Sequence, residues 1–231
     1  MLILAIDTAL DACAAAVLDT EAGKLVAQES LLMKRGHAEA LMPLIARVMQ
    51  SAGLSFPALD RIAVTTGPGS FTGLRVGISA ARGLALAAGK PAVGLTTLSA
   101  YAAAIVSRNG PIPVLSAVDA RHDHVYFQIV AGDGSELVGP KVASVDEAIA
   151  ASQFGAPHLV GNAANILADR WPTDAPQPVA VDAQPAPDID WVAWLGVAAD
   201  PDNAPARPFY LRAPDAKPAA LPHANLQAAT P

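Results

Sequence analysis

The sequence predicts an α/β chain built from mixed sheet and helices, and three observations carry that prediction. Apolar patterns over the first 108 residues run β-β-β-α-β-α-β-α, the order of a mixed sheet with helices against it. Asn109-Gly-Pro-Ile-Pro113 then marks a boundary, after which strand and helix patterns resume to residue 212. Both halves also open on an apolar strand that ends in an acid, Asp7 and Asp119, pointing to two related units. The expected division is an N-terminal unit over 1–108, a C-terminal unit over 109–212 and a Pro- and Ala-rich mobile tail over 213–231.

The elements follow in order. Leu2–Asp7, Cys13–Asp19 and Lys24–Leu31 read as strands separated by turn signals at Ala9–Asp11 and Glu21–Gly23. His37–Ala52 places Leu41, Leu44, Ile45, Val48 and Ala52 at helical spacing, with Gly53 as its stop. Pro43 inside that pattern predicts either a kink or a late start. A strand over Arg61–Thr66, a long helix to about Ala88, a strand over Ala92–Thr96 and a helix over Leu98–Ser107 complete the first half. The second half reads as paired strands at Val114–Asp119 and His124–Val130, then a short helix at Ser144–Ser152. A short strand at His158–Gly161 and helices at Ala164–Trp171 and Trp191–Ala199 follow.

Composition bounds the function. A chain of 231 residues with 52% hydrophobic and 16% charged content buries a sizeable core without disulfides. A net charge of −6 argues against wrapping nucleic acid unaided, and aromatics at 5% supply little for stacking on bases. Cys13 lies in an apolar run and is expected to be a buried small hydrophobe. Asp7 comes too early for a signal peptide, and Arg75 and Arg82 interrupt the most apolar segment, so a cytoplasmic, non-membrane protein is expected.

The densest motif is Val64-Thr-Thr-Gly-Pro-Gly-Ser-Phe-Thr-Gly-Leu-Arg-Val-Gly-Ile78. From Gly69 every fourth residue is small: Gly69, Gly73, Gly77, Ala81, Ala85 and Gly89. On a helix these lie along one face, a smooth stripe about 30 Å long. Interior glycines each cost about 1 kcal/mol relative to alanine, so another helix or a ligand is expected close to this backbone. Phosphate is the alternative, since Gly-rich strand-to-helix loops point amides at anions. The spacing is not that of a P-loop, and the strand ending at Thr96 lacks the acid that would hold a ribose. Close packing is favoured.

Asp7 and Thr8 at one strand end, with Asp119 and Arg121 at its counterpart, have the arrangement of facing acidic loops around a nucleotide-metal complex. Strand-end turns, where Asp and Thr bond local backbone, are the favoured reading, since no third acid or base is assigned. His122 and His124 lack further ligands at metal spacing and read as solvated turn residues. Ser70 has no His-acid pair beside it, so neither a nucleophile nor a protease is supported. His37 is read as a helix-start or interface residue.

Five separated segments stand in one order: Leu4-Ala-Ile-Asp-Thr-Ala9, His37-Ala-Glu39, Gly67-Pro-Gly-Ser-Phe-Thr-Gly-Leu-Arg-Val-Gly77, Val118-Asp-Ala-Arg121 with Val125-Tyr126, and Pro208-Phe-Tyr-Leu-Arg212. Together they resemble the TsaB (YeaZ) family of bacterial proteins needed for threonylcarbamoyladenosine in tRNA. The resemblance covers Leu2 to about Arg212. It implies a two-lobed actin/sugar-kinase/Hsp70-like (ribonuclease H-like) fold. It also implies a catalytic paralogue, TsaD, and an ATPase, TsaE, as partners, with TsaC supplying threonylcarbamoyl-adenylate. Chains of the TsaD type carry a His-x-x-x-His metal motif, and the corresponding positions here are Thr97 and Tyr101. The resemblance therefore implies a scaffold subunit with no catalytic residue and no metal or cofactor of its own. ATP and a metal ion would sit in the partners, and tRNA would be reached only through the complex. Homodimerisation of the isolated chain is left open.

The expected partner interface is His37, Leu41, Gly73, Leu74, Gly77, Ile78 and Ala81. A vestigial nucleotide site would comprise Asp7, Thr8, Gly67, Gly69, Ser70, Asp119 and Arg121. The rival reading is an independent nucleotide-dependent phosphotransferase using Asp7, Asp119 and the Gly67–Gly73 loop.

Overall fold

Two five-stranded mixed sheets organise the chain in the computed structural model, which describes residues 1–212. The expected tail over 213–231 lies outside the described residues. The first sheet has the order β3-β2-β1-β4-β5, from Lys24–Leu32, Ala12–Asp19, Leu2–Asp7, Arg61–Gly67 and Ala92–Thr96. β1 pairs antiparallel with β2 and parallel with β4. The second sheet has the order β10-β9-β6-β7-β8, from Ala180–Asp182, His158–Val160, Val114–Arg121, His124–Val130 and Glu136–Ser144. β6 likewise pairs antiparallel with β7 and parallel with β9. The two sheets thus repeat one topology, and the strands carrying Asp7 and Asp119 hold the same central place.

Helices cover both faces of the first sheet, which is why β1 and β2 read as near-continuous apolar runs. Leu4 and Ile6 point to a core shared with α1 (His37–Ala52) and α2 (Phe71–Ala88). Ile3 and Ala5 point to the opposite core under α6 (Ile189–Ala198). Period-two alternation along one strand therefore feeds two cores. α3 (Thr97–Asn109) leads from β5 and packs on β6 of the second sheet. A separate core lies between β6, β7 and the short helices α4 (Val145–Ile149) and α5 (Ala164–Ala168).

Local chemistry sets the helix ends. α1 stops at Gly53 and α2 at Gly89, both in the left-handed conformation that glycine adopts without penalty. Gly89, at the end of the small-residue row, is therefore a cap. The Ser70 side chain accepts from the Gly73 amide and starts α2. Pro43 lies inside α1 on its exposed side, and the helix nonetheless begins at His37, so the late start is ruled out.

Two strands depart from expectation. β8 contains Gly139 and Pro140 and pairs with β7 through two register irregularities, so no strand pattern shows. β10 is three residues long in a Pro-rich stretch. The helix expected at Ser144–Ser152 is a five-residue α-helix continued by a 3₁₀ turn over Ala150–Phe154.

Candidate functional site

The Gly-rich loop between β4 and α2 is pressed against the turn that follows β1. The Ser70 amide donates to the Ala9 carbonyl at 2.7 Å, and the Thr8 hydroxyl donates to the Gly73 carbonyl at 2.7 Å. A Cβ placed on Gly69, Gly73 or Gly77 would lie well under 3.0 Å from Ala9 O, Thr8 O or Thr8 Oγ1 respectively, closer than real Cβ atoms come. The glycines are therefore required by this chain's own turn. Two amides of the loop that could face a phosphate are likewise engaged within the chain, Ser70 by Ala9 and Gly73 by Ser70 Oγ.

Asp7, Thr8, Gly69 and Ser70 of the expected nucleotide set thus come together, with the chain's own backbone against the loop. Asp7 is fully buried; its Oδ1 accepts from the Thr65 hydroxyl and the Ala9 amide, and its Oδ2 has no hydrogen-bond partner. Burial pushes its carboxyl above the usual carboxylate range, opposed by the Thr65 and Ala9 hydrogen bonds and by nearby His37. Gly67 packs elsewhere, against the Phe209 carbonyl and Leu74. Asp119 accepts the Arg121 amide in a local turn, while its own amide donates to Asn162. Arg121, His122 and Asp123 all have positive φ, and His122–Asp123 forms the tight turn joining β6 to β7. The two histidines are exposed there, with His124 Nδ1 2.7 Å from the His122 carbonyl, as expected of turn residues.

The expected interface set requires a correction. His37, Leu41, Gly73, Leu74, Gly77, Ile78 and Ala81 are all buried within this chain. His37 Nε2 lies 3.0 Å from the Leu10 carbonyl, and Leu41, Leu74, Ile78 and Ala81 belong to the core beneath α1 and α2. The stripe of small residues faces inward because it must clear the Thr8–Ala9 turn. A second row on α2, Arg75, Ser79, Gly83 and Ala87, is exposed. Among the described residues no atom lies within 4 Å of a Cβ built on Gly83, so none of them requires a glycine there. The i, i+4 spacing of that row was readable in the sequence, but its outward direction was not.

A further feature escaped sequence reasoning. After α6 the chain returns along β5, with Val93 bridging Pro205 and the Gly94 amide bonded to the Ala204 carbonyl at 2.8 Å. The Phe209 amide then donates to the Thr66 carbonyl at 2.8 Å. Tyr210 stacks on Phe71 at 5.9 Å between centroids, and the Arg75 guanidinium lies 3.9 Å over the Phe71 ring. The Pro208–Arg212 motif is thereby fastened to the start of α2.

Thr97 and Tyr101 occupy the first two turns of α3, both buried. The Tyr101 hydroxyl donates to the Gln184 carbonyl at 2.9 Å. Burial foremost, and neighbouring acids including Asp7, hold that phenol in its neutral form. Neither residue offers the neutral imidazole of a His-x-x-x-His site, so this place does not fit such a metal. Among the described residues no group of three His, Cys, Asp or Glu side chains is placed to hold a metal ion, and no helix is long and apolar enough to cross a membrane.

Comparison with known proteins agrees with this architecture. A family model described as TsaD, tRNA N6-adenosine threonylcarbamoyltransferase, matches residues 28–183. The chain is 40% identical over 127 residues to the tRNA threonylcarbamoyladenosine biosynthesis protein TsaB of Escherichia coli, covering 55% of this chain and 54% of that relative. The chain thus matches about half the length of that protein. It is 33% identical over 222 residues to an uncharacterized protein of Mycobacterium bovis, covering 95% of each. A solved structure from Pseudomonas aeruginosa, described as similar to peptidase YEAZ, superposes with a TM-score of 0.76 at 28% identity over 91% of this chain and 99% of that one. The chain belongs to the tRNA N6-adenosine threonylcarbamoyltransferase family, and the relatives it resembles include proteins named TsaB and solved structures named YeaZ.

Proposed function

We propose that this chain is a non-catalytic scaffold and activating subunit in tRNA N6-threonylcarbamoyladenosine modification, paired with a TsaD-type catalytic paralogue and served by a TsaE-type ATPase. The observation that carries the reading is the Thr8–Ala9 turn seated in the Gly69–Gly77 groove, with the Ser70 and Gly73 amides already engaged. A chain whose anion-binding loop is held by its own backbone is poorly placed to turn over a nucleotide. Thr97 and Tyr101, where the paralogue has histidines, support the same reading for the metal. ATP and the metal ion then belong to the partners, and this chain works in the cytoplasm without either.

The partner surface is the outer side of α2 with its neighbour α1. Ser79, Gly83 and Ala87 present a smooth row, beside exposed Leu86 and, on α1, exposed Ala38, Met42 and Ala46. Helices carrying such residues approach closely and pack by ridges into grooves. The seven residues first expected at the interface hold these helices in place from beneath. Gly83→Leu tests the surface: capture of the catalytic paralogue should be lost while the melting temperature holds. Calorimetry with magnesium-ATP tests the rival phosphotransferase reading; stoichiometric binding by the isolated chain would favour that rival.

A further inference from the structure

We infer that the cluster of Phe71, Arg75 and Tyr210, with the exposed Arg207, Phe209 and Arg212 of the segment that carries Tyr210, is this chain's own contact with single-stranded RNA. The inference rests on the function proposed above, since it assigns the part of the tRNA-modifying complex that this subunit touches. Aromatics are scarce in the sequence, yet Phe71 and Tyr210 stack here and Phe209 adjoins Tyr210 in the chain, all three between 37% and 48% exposed. Phe71 backs Tyr210 in a stack with 27° between ring planes, and Arg75 closes over Phe71 while its Nε lies 3.5 Å from the Tyr210 hydroxyl. The result is a braced platform, with exposed Arg207 and Arg212 flanking Phe209 and Tyr210 along the chain.

The charge pattern favours RNA over a basic or apolar protein face. The whole chain carries −6, yet no Asp or Glu occurs from Arg61 to Val118, nor from Asn203 to Arg212. The charged residues that these two stretches bring to the patch, Arg75, Arg207 and Arg212, are all basic. Sequence-tolerant binding of single strands combines such phosphate-attracting charge with rings on which bases stack. Folding concentrates what the sequence scatters: the return of the chain along β5 brings Tyr210 onto Phe71.

Fluorescence anisotropy of the full chain with a labelled single-stranded oligouridine RNA, at low and at near-physiological salt, tests this. Binding should be measurable at low salt. Tyr210→Ala and Phe209→Ala should each weaken it about 5- to 150-fold, and Tyr210→Phe should not. Arg75→Gln and Arg212→Gln should each reduce the slope of log affinity against log salt by about 0.7. These slopes decide the matter should an aromatic truncation also lower the melting temperature. Absence of RNA binding by the unmodified chain, or unchanged slopes, would overturn the inference. So would variants that lose the catalytic paralogue but not RNA, which would make the patch a protein interface. Capture of the paralogue by the unmodified chain, measured separately, tells failure of this inference from failure of the proposed function.

Discussion

Exchanging one glycine for alanine on each side of α2 separates the two faces of that helix by sign. At Gly73 the added methyl would meet the Thr8 carbonyl oxygen well under 3.0 Å away, a backbone atom already fixed by the hydrogen-bonded turn. Overpacking of this kind costs about 1–3 kcal/mol. A fixed carbonyl puts Gly73→Ala at the upper end, less about 1 kcal/mol regained from helix propensity. The net loss of about 2 kcal/mol corresponds to a melting temperature about 4–8 °C lower for a chain of this size. At Gly83 the methyl meets nothing, so the propensity term stands alone and Gly83→Ala should melt about 2–4 °C higher. Thermal denaturation followed by circular dichroism reads both. A Gly73→Ala protein as stable as its parent, or a destabilised Gly83→Ala protein, would refute the assignment of inner and outer faces.

Three further outcomes follow from buried groups and the returning segment. Asp7 has a folded-state pKa raised above its ordinary 3.8, so its contribution to stability is full below that value and is lost as pH rises through the folded pKa. Asp7→Asn, which keeps an acceptor for Thr65 and Ala9, should therefore gain stability relative to the parent as pH rises from acid to neutral; melts across that range showing a constant difference would contradict this. The Cys13 thiol, fully buried and pushed up to about 11 by desolvation and by nearby Asp7 and Glu29, should resist alkylation at neutral pH until the chain unfolds; rapid native labelling would show the site to be open. Gly94→Ala would drive a methyl onto Pro205 O and Thr66, so it should release residues 204–212 from β5 and raise their protease sensitivity; an unchanged digestion pattern would show that the contact is dispensable.

Most of the fold was legible because its helices and central strands carry strong local signals. Leu41, Leu44, Ile45 and Val48 define one face of α1, and Gly53 and Gly89 cap helices where the patterns end. β8 was hidden because Gly139 and Pro140 read as a turn, and β10 because three residues carry no period. The candidate site divides the same way. The row from Gly69 to Ala85 announced a close approach, and the structure supplies one. Spacing gives a face but not its direction, and what fills the groove is a turn some sixty residues earlier. The seven expected interface residues were misplaced for that reason. The Phe71–Tyr210 stack joins residues too distant in sequence for any local pattern to link them.

In the function proposed above, this chain completes a threonylcarbamoyl transferase without performing the transfer. Reconstitution with purified components tests it most directly: the full chain, the catalytic paralogue, the ATPase, unmodified tRNA and threonylcarbamoyl-adenylate, with modified adenosine measured by mass spectrometry of the digested tRNA. Product is expected only when this chain and the paralogue are both present, and none from this chain with the remaining components. Product from this chain without the paralogue, or undiminished product when this chain is omitted, would contradict it.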